Sequence, residues 1–119
     1  MEIKVANKEA KYNIGFVRKL DKIYKIESKE GISFGMGLNL AVPQLMMGSI
    51  VTLVDVLACA TGATEAQVEK YLEKYAEENE DFEEIFDGVM VGLKKSPMTK
   101  MTTNKVLNAT AQAETENQD

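Results

Sequence analysis

The spacing of polar and apolar positions changes several times along this chain. In residues 2–14, Ile3 and Val5 alternate with Glu2, Lys4 and Ala6, and Tyr12 and Ile14 alternate with Lys11 and Asn13, around a polar turn at Asn7-Lys8. A period of two about a polar turn predicts a small β-hairpin. Alone such a hairpin is marginal, so it must pack on the rest of the molecule or extend a neighbour's sheet. After Gly15 the period lengthens. Phe16, Leu20, Ile23 and Tyr24 form one stripe while Arg18, Lys19, Asp21, Lys22 and Lys25 cover the other side, as an amphipathic helix requires. It ends before Lys29-Glu30-Gly31, where a turn leads into the next segment.

From Gly31 to Thr64 there is a single charged residue, Asp55. Burying each Leu, Ile, Val or Met is worth roughly 1.5–3 kcal/mol, so this stretch must be covered by its flanks, by another copy or by a partner. It is no membrane span. Asn39, Pro43, Gln44, Gly48, Ser49, Thr52 and Asp55 interrupt the run, and neither edge carries a belt of Trp and Tyr. The pattern predicts two short helices meeting at Met47-Gly48-Ser49, where Gly48 can take the left-handed conformation that ends the first and Ser49 can cap the second. Leu38, Val42, Leu45 and Met46 keep helical spacing in the first, and Ile50, Leu53, Val54, Leu57 and Ala58 in the second. Pro43 interrupts the first. Either that helix is kinked there, or it begins near Asn39 or Leu40 with Pro43 in its first turn.

Two further helices carry clear signals. Thr64 and Gln67 have capping-box spacing ahead of Val68, Tyr71, Leu72 and Tyr75, and Asn79 can close the helix. Asp81 with Glu84 offers a looser start for Phe82, Ile85, Phe86, Val89, Met90 and Leu93; Lys94-Lys95 suits the helix end and Ser96-Pro97 stops it. The pair is expected to form an antiparallel helical hairpin. Met101, Val106 and Leu107 suggest a last short helix, and Asn108 to Asp119 has almost no large apolar residue, which reads as a disordered tail. The expectation is an α+β, mostly helical single domain over 1–107: an N-terminal β-hairpin, about five short helices, then the tail at 108–119.

Charge adds polarity to this picture. The net charge is −5, which argues against nucleic acid as a partner. Residues 1–30 hold eight Lys/Arg against five Asp/Glu, whereas residues 65–88 hold two Lys against ten acids. Charge runs commonly mark solvated faces. The sharper reading is a head-to-tail contact in which the basic flank of one copy meets the acidic helices of the next, giving a homo-oligomeric ring or spiral. One cysteine, no histidine and an opening Met1-Glu2-Ile3-Lys4 that starts no signal peptide place the chain in a cytoplasm.

For catalysis the residues offer little. Without histidine there is no Ser/His or Cys/His arrangement. Cys59 beside Leu57 and Ala58 reads as a small core residue. Glu73 with Glu77, and Glu80 with Glu84, read as an exposed acidic face rather than a metal or acid–base pair. Gly35-Met36-Gly37 lacks the third glycine of a dinucleotide fingerprint, and Asn108-Ala109-Thr110 is a glycosylation acceptor that a cytoplasmic chain never uses. No enzyme, cofactor or metal is expected. Methionine stands out instead: Met36, Met46 and Met47 in the apolar stretch, and Met90, Met98 and Met101 later. Thioethers fill irregular cores and also serve surfaces that accept varied apolar partners. The candidate partner-binding residues are Met36, Leu45, Met46, Met47, Ile50 and Val51, an apolar groove for a helix of another protein.

Taken together, GFVRKLDKIYKIE, then GISFGMGLNLAVPQLMMGS, then an acidic helical hairpin ending in LKKSPMTK resemble the tail assembly chaperones of long-tailed phages and prophages of Gram-positive bacteria. The likeness runs from the N-terminal hairpin to about Lys105. It implies a non-enzymatic protein that coats the helical, aggregation-prone tape measure protein until the tail tube polymerises around it, and that is absent from the finished virion. It also implies that a frameshifted, longer product, where one is made, engages the tail tube protein. Two other classes fit the residues: a small structural tail or connector subunit, and an acidic antitoxin-like binding protein.

Overall fold

The computed structural model describes residues 2–31 and 33–116. Its first element is a short hairpin, with β1 (Lys4–Val5) antiparallel to β2 (Lys8–Glu9). Ala6 and Asn7 both have positive φ, the signature of the tight turn whose twist matches a hairpin. Ile3 and Val5 are buried, as their alternation requires. The ribbon is shorter than the pattern predicts, and its turn lies one residue earlier. Asn13 ends it: its side chain accepts the N–H of Phe16 at 2.9 Å and starts α1 (Ile14–Ile23), so Ile14 is helical and exposed rather than part of a strand.

A second ribbon follows that periodicity could not show. β3 (Lys25–Glu27) pairs antiparallel with β4 (Ser33–Gly35) where a plain turn is expected. Three residues per strand are too few to register as alternation, and Lys-Ile-Glu has no apolar partner in sequence.

The apolar stretch becomes β4 and the two central helices, α2 (Gly37–Met46) and α3 (Ile50–Thr61). α2 begins at Gly37 and continues through Pro43, which rules out a start near Asn39 or Leu40. No local side chain caps it. The cap comes from α1, where the Asp21 carboxylate accepts the N–H of Gly37 at 2.8 Å. The end of α2 is closed twice over: Ser49 N–H donates to Gln44 O and Gly48 N–H to Leu45 O, with Gly48 at φ 80°. These are the two bonds of a Schellman cap. Ser49 then caps α3 by accepting the Thr52 N–H, and the Thr52 hydroxyl donates to Gln44 Oε1 at 2.6 Å. The corner is thereby fixed on both sides.

α3 is the centre of the molecule, with Leu53, Val56 and Leu57 fully buried, and it packs against α1, α2 and α4. Gly62, left-handed, ends it. α4 (Glu65–Glu78) starts with the capping box of Thr64 and Gln67, both bonds formed. α5 (Glu83–Lys95) starts later than the Asp81 signal suggests, because Asp81 accepts the N–H of Glu83 and Phe82 takes the cap position. Tyr75 and Phe82 stack at 5.8 Å where the two helices meet. They then part company: α4 lies on α3 and β1, and α5 on α6, so they do not form a side-by-side hairpin. α6 (Lys100–Glu116) packs on α2 and α5 and extends past residue 107, the last of its large apolar positions. Ala109 and Ala111 favour helix without contributing to an apolar stripe, which is why hydrophobic spacing alone stops short. Residues 117–119 of the expected tail lie outside the described part. No described helix is long and apolar enough to cross a membrane.

Candidate functional site

The α2–α3 corner carries the most conspicuous apolar surface of the molecule. Met47 is 86% exposed, Val51 74%, Met46 47% and Ile50 41%. Their position follows from the corner's bonding. The Schellman cap and the Ser49 cap turn the chain between Met46 and Ile50, so the last side chains of α2 and the first of α3 point away from the core. The four form an apolar ridge rather than the walls of a groove. Leu45 does not belong to it. It lies two helical turns beyond Leu38 and one beyond Val42 on the buried face of α2, and is itself buried. Met36 does not belong either: it is the half-buried residue before α2, at the far end of that helix from the ridge.

Beside the ridge runs a groove of about 450 Å³ between the end of α2, α5 and α6. Met46 is common to both. Leu45, Phe86, Met90 and Leu107 supply the apolar lining, and the exposed Glu83, Asp87 and Lys94 stand at its edge. Met90 and Phe86 are the functional candidates that the spacing of α5 leaves unassigned. Ile85, Val89 and Leu93 take the buried stripe of α5, which puts Phe86 and Met90 one position round, half-covered. The available signal is a stripe wider than one neighbour can cover.

The polar interior explains the distinctive blocks of the sequence structurally. In FGMG, a Cβ on Gly35 would stand 2.6 Å, and one on Gly37 2.7 Å, from the nearest Asp21 side-chain atom. The two glycines let the Asp21 carboxylate reach the start of α2, a different use of glycine from cradling a phosphate. In KKSP, the Ser96 hydroxyl donates to the Tyr12 carbonyl and so joins the end of α5 to the entry of α1. Asp55, the lone charge of the apolar stretch, accepts the Tyr24 hydroxyl at 2.9 Å. Burial, followed by that bond and the Asp55 charge, raises the Tyr24 pKa, with the Thr52 contact opposing.

Cys59 is buried and free, and burial with the nearby Asp55 charge pushes its thiol up to about 11. It is protonated at neutral pH and so a poor nucleophile. Among the described residues no group of three His, Cys, Asp or Glu side chains is placed to hold a metal ion.

A family model described as phage tail assembly chaperone protein, TAC, matches residues 1–108. The chain belongs to this family. No curated protein and no solved structure gave a match. The match covers the hairpin, the corner with its ridge, the groove and the first half of α6. Membership gives the protein a chaperone role in building phage tails, acting on tail proteins, in a class that is generally non-enzymatic.

Proposed function

We propose that this chaperone binds and solubilises the tape measure protein during tail tube assembly, by holding it rather than by catalysis. The observation that carries the reading is the ridge of Met46, Met47, Ile50 and Val51, kept in the open by a corner that a Schellman cap and an N-cap make rigid. An amphipathic helix has the complementary apolar stripe, and flexible thioethers adapt to successive, non-identical segments of it. Four such side chains offer at most about 6–12 kcal/mol of burial, against roughly 4–15 kcal/mol lost on association. One copy therefore holds weakly. Several copies on one long helical partner hold well and still release it when tube subunits compete for the same surface. The setting is the bacterial cytoplasm, with the chaperone absent from the mature virion; a longer frameshifted product, where one is made, links the complex to the tail tube protein.

Co-expression with the tape measure protein, pull-down and sizing test this reading. The expected result is a soluble complex with many copies per partner, and Met46→Glu with Met47→Glu lowers tape measure solubility while the fold stays intact. Unchanged solubility sinks the ridge as the site, and recovery of the chain from purified virions moves it to the structural subunits.

A further inference from the structure

In a chain of net charge −5, residues 88–113 hold Lys94, Lys95, Lys100 and Lys105 and not one Asp or Glu. This stretch runs from the second half of α5 into α6. Lys94 and Lys95 end α5, where the helix dipole favours cations, and each borders a cleft that also holds carboxylates: Glu83 and Asp87 for Lys94, Glu2 and Glu9 for Lys95. Lys100 and Lys105 have neither justification. Lys100 stands in the first turn of α6, the end of a helix that favours an anion, and that turn has no acidic residue. Among the described residues no carboxylate lies within 4.0 Å of either lysine, the one ion pair being Lys4 with Glu2. Two methionines stand beside them, Met98 at 52% and Met101 at 67% exposure. The corner is firmly bonded: Ser96 O accepts the N–H groups of Thr99 and Lys100, and the Thr99 hydroxyl donates to Leu93 O at 2.7 Å. Thr99, Thr103 and Val106 take the buried side, which leaves Met98, Met101 and Lys105, spaced three and four apart, on the outer one.

We propose that this face of α6 docks an acidic amphipathic helix of a tail protein, whose apolar stripe covers Met98 and Met101 and whose carboxylates meet Lys100 and Lys105. Charge decides the kind of partner. An anion brought to the start of α6 offsets what Lys100 costs there, and opposed charge sets the orientation and speed of the encounter. The thioethers supply apolar contact that adapts to the stripe. Four lysines without an arginine, on a chain of net charge −5, suit carboxylates; a nucleic acid backbone or an anionic membrane draws on a larger basic field. The inference goes beyond tape measure holding, since no ridge residue takes part. The ridge, which carries no charge, accepts apolar stripes whatever borders them, whereas α6 selects those bordered by acid.

The test is fluorescence anisotropy with the full chain and a labelled peptide of about 18 residues, Leu on one helical face and Glu along its borders, against counterparts with Gln or Lys in place of Glu. In about 50 mM salt the Glu peptide is expected to bind about tenfold or more tighter than either, and about 500 mM salt removes most of the difference. Lys100→Glu with Lys105→Glu should reverse the order, so that the Lys peptide binds best, a result that loss of the fold cannot produce. Should that variant not fold, Lys100→Gln with Lys105→Gln should abolish the preference. Met98→Ser with Met101→Ser should weaken the Glu peptide about tenfold, while Met47→Ser with Val51→Ser, on the ridge, leaves it unchanged. A Glu peptide that binds no better than the Gln peptide overturns the proposal, as does an order of affinities that the charge reversal leaves alone, or loss of binding in the ridge variant instead. Tighter binding of phosphatidylglycerol vesicles or of a single-stranded oligonucleotide through the same lysines overturns it too. So does self-association in sedimentation velocity that the charge reversal abolishes, since the face then belongs to a second copy.

Discussion

The Asp21 carboxylate accepts the backbone N–H of Gly37 at 2.8 Å, so the first turn of α2 is capped by a side chain from a different helix. Helix starts ordinarily carry their own cap, worth about 1 kcal/mol. Here the bond also docks α1 on α2. Asp21→Ala is expected to cost about 1–2 kcal/mol, with Asp21→Asn milder because an amide oxygen still accepts. Gly37→Ala should cost at least as much, because the new Cβ would crowd Asp21 and the α1 backbone. Urea unfolding midpoints check the ranking. A Gly37→Ala variant as stable as the wild type refutes the close approach.

At the other end of the molecule Gly92 faces Tyr12. A Cβ there would collide with the Cδ2–Cε2 edge of the Tyr12 ring, which itself packs edge-on against Phe16 at 5.2 Å. Gly92→Ala would ordinarily stabilise a helix by about 1 kcal/mol; here it is expected to destabilise by about 1–3 kcal/mol through overpacking. In Tyr12→Ala the clash is gone, so adding Gly92→Ala to that variant should cost far less. A thermal-melt double-mutant cycle reads the coupling.

Alkaline pH should loosen the fold from within. Below about pH 9 the Cys59 thiol is protonated in both the folded and unfolded chain and adds no pH dependence. Above it the unfolded chain releases a proton that the folded chain keeps until about 11, so stability falls as pH rises across that window. Tyr12, raised by burial to about 12, continues the decline from pH 10 upward. Stability measured in urea is expected to be level from pH 7 to 9 as far as these groups decide it, then to drop. Cys59→Ala should flatten the part between 9 and 11. An identical slope in that variant would assign the loss elsewhere.

Thr103 offers the reverse case. Its side chain is fully buried on α6 and, among the described residues, its hydroxyl has no hydrogen-bond partner. Leaving such a group dry costs about 1–3 kcal/mol, and valine has nearly the same shape. Thr103→Val is expected to raise the thermal midpoint, whereas the neighbouring buried Thr99, which donates to Leu93 O at 2.7 Å, should lose stability on the same change. Equal effects at both positions would contradict the difference in bonding.

The features legible in the sequence are local. The α2–α3 corner can be placed because Gly48 and Ser49 are chain neighbours with fixed roles, and the capping box because Thr64 and Gln67 are three residues apart. The ridge follows from that corner. Leu45 reads as part of it in sequence because the same spacing serves a buried stripe and an exposed one, and only the packing of α2 against its neighbours decides between them. Gly35 and Gly37 are opaque for a related reason: the group they make room for, Asp21, sits on another helix. Phe86 and Met90 gain their significance only when the end of α2 and Leu107 close a groove round them.

The bonds of the Met47–Ser49 corner reach no more than eight residues along the chain, as from Thr52 to Gln44, whereas Ser96 and Tyr12 are 84 residues apart. Short loops close at little entropic cost and early; long ones close late. On a ribosome the bonds of this corner can therefore close while the Tyr12 carbonyl still waits for Ser96 to be made.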